Sequence, residues 1–150
     1  MKLKSHIYQG IVLGPAVYYF TNFKTAIIFL SSFILIDIDH YFLYIRRCNR
    51  VSLPQMFTYF DHVWENHRSK IYELCIFHTV EFFLLLFILG YWRKEFRIVL
   101  FGFLLHFLFD LYHLFKHKIV FTRAFSIIEY FIRRKRYERV IVKYPEVPSL

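Results

Sequence analysis

The sequence predicts an all-α integral membrane protein, a four-helix bundle followed by a C-terminal amphipathic helix in the interface. Three observations carry that expectation. Of 150 residues, 57% are hydrophobic and 23% aromatic, with 20 Phe, 12 Tyr and only 4 Gly and 4 Pro; this excludes a disordered or collagen-like chain and exceeds the usual apolar content of a soluble domain. Four apolar segments, 7–23, 25–45, 71–92 and 96–115, match the roughly 17–25 residues that a spanning helix needs. Lys and Arg number 20 against 11 acidic residues, a formal charge of +9, yet they flank the apolar runs instead of forming one face. They therefore read as membrane topology signals, and no nucleic-acid partner is expected.

Each element follows in order. Met1-Lys2-Leu3-Lys4 and the apolar residues after it imitate a secretory signal, but bulky Val17-Tyr18-Tyr19-Phe20 offers no small-residue cleavage site, so an uncleaved first span is expected. Within it, Gly10-x-x-x-Gly14 would let a second helix approach closely. The second span contains Asp37-Ile38-Asp39-His40. The polar stretch 46–70, with Pro54 and a short helix over 56–67, reads as a surface flap or a plain connection. Tyr91-Trp92 closes the third span as an aromatic belt residue pair. After the fourth span, Val120, Phe121, Ala124, Phe125, Ile128, Phe131 and Ile132 recur at helical spacing, then Arg133-Arg134-Lys135-Arg136 follows. That is the pattern of an interfacial helix with a basic end, and membrane lipid is its expected partner.

The expected division is a transmembrane domain with a metal site over 1–118 and an amphipathic helix with a basic tail over 119–150. Sixteen Lys and Arg fall on the side of the termini and 46–70, against Lys24, Arg93, Lys94 and Arg97 opposite, which places both termini in the cytoplasm of an inner membrane. Cys48 and Cys75 stand 27 apart without C-x-x-C spacing and read as free thiols.

Ionisable side chains are costly inside hydrocarbon, so those retained there are functional candidates. They are Asp37, Asp39 and His40; His78 and Glu81; and His106, Asp110 and His113, with no Lys or Arg among them. Protonated acids or a bound cation would make the set tolerable, and several acids sharing one place with histidines favour a cation. At about 100° per residue, Asp37 with His40, His78 with Glu81, and His106, Asp110 and His113 each fall within about 60° on one helix face. At 1.5 Å rise, Asp37, His78 and His106 lie roughly 10–13 Å from the cytoplasmic end of their spans, and His6 enters from that side. Asp39 is turned about 160° from Asp37, so either the helix opens there or Asp39 orients a histidine. The expected ligand set is His6, Asp37, Asp39, His40, His78, Glu81, His106, Asp110 and His113. His113, near a helix end, reads equally as an interfacial histidine. Asp37 and Glu81 are the candidates to bridge, ligate or accept a proton from water, and one or two divalent ions are expected, zinc foremost.

The residues His6, Asp37-Ile38-Asp39-His40, His78-Thr79 and His106-Phe107-Leu108-Phe109-Asp110, in that order over about residues 6–113, resemble a family of small bacterial and archaeal inner-membrane metal-dependent hydrolases. Members carry an early His, Asp-x-Asp-His, His-Ser/Thr and His-x-x-x-Asp. That family in turn resembles the zinc-dependent phospholipase C and P1 nuclease group. The resemblance implies phosphoester hydrolysis with His106 and Asp110 as ligands. His78-x-x-Glu81 is one residue shorter than the His-x-x-x-Glu of that group, and the His-Arg-Gly common before His-Ser/Thr is missing here.

The leading expectation is a membrane-embedded metal-dependent hydrolase acting on a phosphoester, with a lipid-like substrate at the cytoplasmic leaflet. The competing classes are haem-binding electron transfer through His78 and His106, metal or proton transport, and an interaction protein working through its basic tail. No Ser stands in a G-x-S-x-G context, so a serine triad is unsupported.

Overall fold

The computed structural model describes residues 3–67 and 72–137. Its α-helical segments are α1 (Leu3–Phe20), α2 (Phe23–Leu35), α3 (Ile38–Cys48), α4 (Leu53–His67), α5 (Val80–Trp92), α6 (Lys94–Lys116) and α7 (Ile127–Tyr137), with single 3-10 turns at Ile76–His78 and Val120–Thr122. Among the described residues there is no strand, only an isolated parallel bridge between Glu73 and Arg123.

Local chemistry sets the boundaries. Asn22 Oδ1 accepts from the Thr25 amide at 3.0 Å and starts α2, and Thr79 Oγ1 accepts from the Phe82 amide at 3.4 Å and starts α5. Asn49, at φ 51° and ψ 38°, closes α3 in the left-handed conformation that asparagine tolerates. Between α2 and α3 the helix opens at Ile36 and Asp37, with Asp37 at φ −79° and ψ 2°.

Small residues align the helices. A Cβ on Gly10 would meet Leu30 at 3.0 Å and Phe33 at 3.7 Å, and one on Gly14 would meet Leu30 at 3.7 Å, so α1 approaches α2 closely, as the Gly10-x-x-x-Gly14 spacing suggests. A Cβ on Gly102 would lie 2.1 Å from Ser32 Oγ and 3.0 Å from the Phe29 carbonyl, holding α6 against α2. Lys24 Nζ meets Glu95 at 3.1 Å, and Phe29 packs on Phe101, so those two helices run parallel. Phe83 packs on Phe107 near the start of α5 and a Cβ on Gly90 near its end would meet the Arg97 side chain, so α5 runs antiparallel to α6. Ile36, Leu86 and Phe103 form the shared core.

Among the described residues, two helices are long and apolar enough to cross a membrane: the Phe23–Cys48 run, which is α2 and α3 together, and Lys94–Lys116. Of the four expected spans, the first, covered by α1, and the third are not among them, and the third departs from its expected helix as well. The described part of 71–92 is extended over its first residues, turns once at Ile76–His78 and becomes helical only at Val80. The resulting 13-residue α5 is about 20 Å long, against a hydrocarbon core of about 30 Å. The cause is backbone pairing: the Glu73 amide donates to the Thr122 carbonyl at 3.1 Å and the Glu73 carbonyl accepts from the Ala124 amide at 2.9 Å, which a helix would forbid.

The 46–70 stretch is more than a connection. Met56, Tyr59 and Val63 of α4 bury against Tyr44 of α3. The expected amphipathic helix is corrected at its start: 120–122 form a 3-10 turn, Ala124 is fully buried, and α7 begins only at Ile127, where Ile128, Phe131 and Ile132 are exposed. The tail over 138–150 and the side chains of Lys135 and Arg136 from the basic cluster lie outside the described residues.

Candidate metal centre

Asp37 at the α2–α3 opening, His78 in the 3-10 turn, and His106 and Asp110 one turn apart on α6 converge on one buried point. Their ligand atoms all lie within 4.8 Å of one another, and the group could hold a metal ion. His106 Nε2 is 3.4 Å from Asp37 Oδ1 and 3.9 Å from Asp110 Oδ2, while His78 Nε2 is 3.7 Å and 3.6 Å from the same two oxygens. Four N/O donors around a tetrahedral zinc at about 2.0–2.1 Å would stand about 3.3–3.4 Å apart, so the observed spacing is that of a slightly open coordination shell.

The hydrogen bonds on the far side of each ring determine what it presents inward. His106 Nδ1 lies 2.7 Å from the Phe33 carbonyl, which can only accept, so Nδ1 carries the proton and Nε2 presents a lone pair. His78 Nδ1 lies 3.2 Å from Asp39 Oδ2, with the same consequence. Neither Nε2 has a hydrogen-bond partner, although both are buried. Lone pairs and carboxylates facing one another in a dry interior repel unless a proton or a metal cation lies between them. The donor set fits a divalent metal on chemistry as well as on distance.

His6, brought by α1, joins this group: its Nε2 is 3.3 Å from Asp110 Oδ1 and 3.8 Å from Asp37 Oδ2, and its ring stacks on His106 at 3.9 Å. Asp39 stands behind His78 and also accepts from the Phe77 amide at 3.2 Å. The two options raised by its 160° offset both hold, since the helix opens and the carboxylate orients a histidine. Asp39, Cys75 and His78 form a second buried group with metal-ligand spacing.

Three expected ligands are placed elsewhere. His40 has Nδ1 beside Asp39 Oδ1 at 2.9 Å and Cys75 Sγ at 3.4 Å, and Nε2 facing an Arg123 nitrogen at 3.4 Å, so both ring nitrogens are engaged beside the centre and not in it. Glu81 Oε1 accepts from Ser126 Oγ and from the Ile127 amide at 3.0 Å, capping α7; helix starts only at Val80, so Glu81 and His78 do not share a face. His113 stacks on Trp64 at 4.8 Å and is not among the convergent four.

One partner escaped the sequence reading. Arg123 Nη1 donates to Asp110 Oδ2 at 2.6 Å, correcting the expectation that these acids lack a basic neighbour. Burial works against its charge, but the adjacent Asp110 carboxylate overcomes this and holds the guanidinium above its usual range. Arg123 offsets Asp110, whereas Asp37 has imidazoles as its close ion-pair contacts. The available signal was a lone Arg among Val120, Phe121, Ala124 and Phe125 on a face read as lipid-facing. Comparison with family models, with curated proteins and with solved structures found no match.

Proposed function

We propose that the protein is a membrane-embedded hydrolase that cleaves a phosphoester at the cytoplasmic leaflet with a divalent metal, zinc foremost, held by Asp37, His78, His106 and Asp110. The observation that carries this reading is the pair of imidazole lone pairs aimed at two carboxylates in a buried cluster. A bound divalent cation supplies Lewis acidity, lowering the pKa of water and drawing charge from a phosphoryl oxygen.

The chain's own residues do the rest. Asp39 and the Phe33 carbonyl hold the two imidazoles in the ligating tautomer. Asp37, at 13% side-chain exposure the more open of the two carboxylates, takes the proton from the attacking water. His6 braces the second oxygens of both acids.

Lipid as the surrounding solvent is supported by the exposed Ile11 and Val12 of α1, Leu84 and Phe87 of α5, and Phe101 and Leu108 of α6. The distribution of Lys and Arg supports cytoplasmic termini. The haem reading lacks a slot, since both Nε2 atoms lie within 4 Å of the same carboxylates.

Elemental analysis of detergent-purified protein tests the reading, with wild type set beside His106→Ala. Stoichiometric zinc in wild type, lost in the variant, together with phosphate release from phosphatidic acid in nanodiscs, is the expected result. Wild type purified and reconstituted with zinc that still holds none would overturn it.

A further inference from the structure

The enclosure of the centre is lopsided. The side chains of His78 and His106 are fully buried and that of Asp110 is 4% exposed, whereas Arg123, Asp37 and His40 retain 11%, 13% and 21%. Those three, the least covered of the group, mark the side from which a ligand would approach, the mouth of the centre. At that mouth Arg123 carries a planar fork of donors, Nη1 on Asp110 Oδ2 at 2.6 Å and Nη2 3.4 Å from His40 Nε2.

The guanidinium is delivered by a fastened segment. Backbone bonds from Glu73 to Thr122 and from Ala124 to Glu73 flank Arg123 on both sides. One residue further on, the Val80 amide donates to the Phe125 carbonyl at 2.9 Å, and Glu81 then caps α7. These ties join the C-terminal segment to the strip that also carries His78. A buried ion pair seldom stabilises a fold more than apolar packing of the same volume, so stability alone is a weak reason for this arrangement.

We infer that Arg123 is the anion-recognition residue of this centre, binding a phosphoryl group of the substrate at the mouth formed with Asp37 and His40. The inference rests on the metal-dependent reading and adds the residue that selects the substrate's charge. Asp110 Oδ2, the oxygen that Arg123 holds, is also the oxygen 3.6 Å from His78 Nε2 and 3.9 Å from His106 Nε2. With a cation held by the imidazoles, Asp110 Oδ2 would be shared between it and Arg123, and the Nη1 bond would weaken. The fork is then available to two oxygens of one phosphoryl group, a geometry that guanidinium matches and ammonium does not. A free phosphate and a phospholipid monoester headgroup share that chemistry.

The test uses full-length protein in phosphatidylcholine nanodiscs, loaded with zinc and titrated with inorganic phosphate while the phosphorus-31 linewidth is followed. Wild type is compared with Arg123→Gln and Arg123→Lys, with zinc content measured for each. Zinc retained in all three, with phosphate bound about tenfold or more weakly in Arg123→Gln and less weakly in Arg123→Lys, is expected. Unchanged phosphate affinity in a zinc-retaining Arg123→Gln, or no phosphate binding by wild type, overturns the inference and leaves the metal reading standing. Loss of zinc from both variants also overturns it, because Arg123 is then a structural counter-ion to Asp110. If only Arg123→Gln loses zinc, Arg123→Lys decides, and a wild-type phosphate affinity there overturns it. Zinc missing from wild type is instead failure of the metal reading itself. Adding phosphatidic acid to the nanodiscs separates the sources: competition with phosphate assigns the lipid headgroup, and no competition assigns the free anion.

Discussion

His78 is held between two carboxylates, with Asp39 Oδ2 3.2 Å from its Nδ1 and Asp37 Oδ1 3.7 Å from its Nε2. One aspartate therefore sets the tautomer while the other shares the inward lone pair's target. The two acids come from one short stretch because the helix opens at Asp37, turning residues two apart in sequence to opposite sides of the same ring.

Asp39→Asn tests that relay. The amide keeps the volume but weakens the acceptor on His78 Nδ1, so zinc affinity is expected to fall about 10–100-fold while the protein stays folded. Competition with a chromophoric chelator measures it, and an unchanged affinity removes Asp39 from the centre.

Glu81→Ala separates a cap from a ligand. With Glu81 Oε1 taking the Ile127 amide, its loss is expected to free the start of α7 at a cost of about 0.5–2 kcal/mol and leave zinc stoichiometry intact. Hydrogen exchange over 126–130 should quicken; loss of zinc would return Glu81 to the ligand set.

His113→Ala and His78→Ala should part company. His113 stacks on Trp64 and His78 is one of the convergent four, so zinc persists in the first variant and is lost from the second. Elemental analysis of both proteins reads the difference.

Gly102→Ala addresses the packing that brings α6 to α2. The added methyl would meet Ser32 Oγ at 2.1 Å, so a destabilisation of roughly 1–3 kcal/mol is expected, read as a lower melting temperature in detergent. Adding Ser32→Ala should recover part of it, because the Phe29 carbonyl at 3.0 Å remains.

The helices, and most of the centre, were legible in the sequence. Hydrophobic periodicity is a local property, so α2, α5 and α6 announce themselves, and an Asp or His inside an apolar run marks a residue retained for a reason. That logic singled out His6, Asp37, His78, His106 and Asp110, which the fold brings together, and it raised both explanations of Asp39. It failed where a helix was extended past its true start: a constant turn through 71–92 put Glu81 beside His78, but Thr79 begins the helix and sends Glu81 to α7.

What only the tertiary structure decided is the partner of Asp110. Arg123 reaches Asp110 through backbone pairing between Glu73 and residues 122–124, a register set by distant amides and carbonyls that leaves no period in the sequence. The sequence by itself determined that acids and imidazoles would be buried in an apolar helical protein, because their spacing along each helix is covalent. The fold chose which of them face one another, since that depends on where helices open, cap and touch.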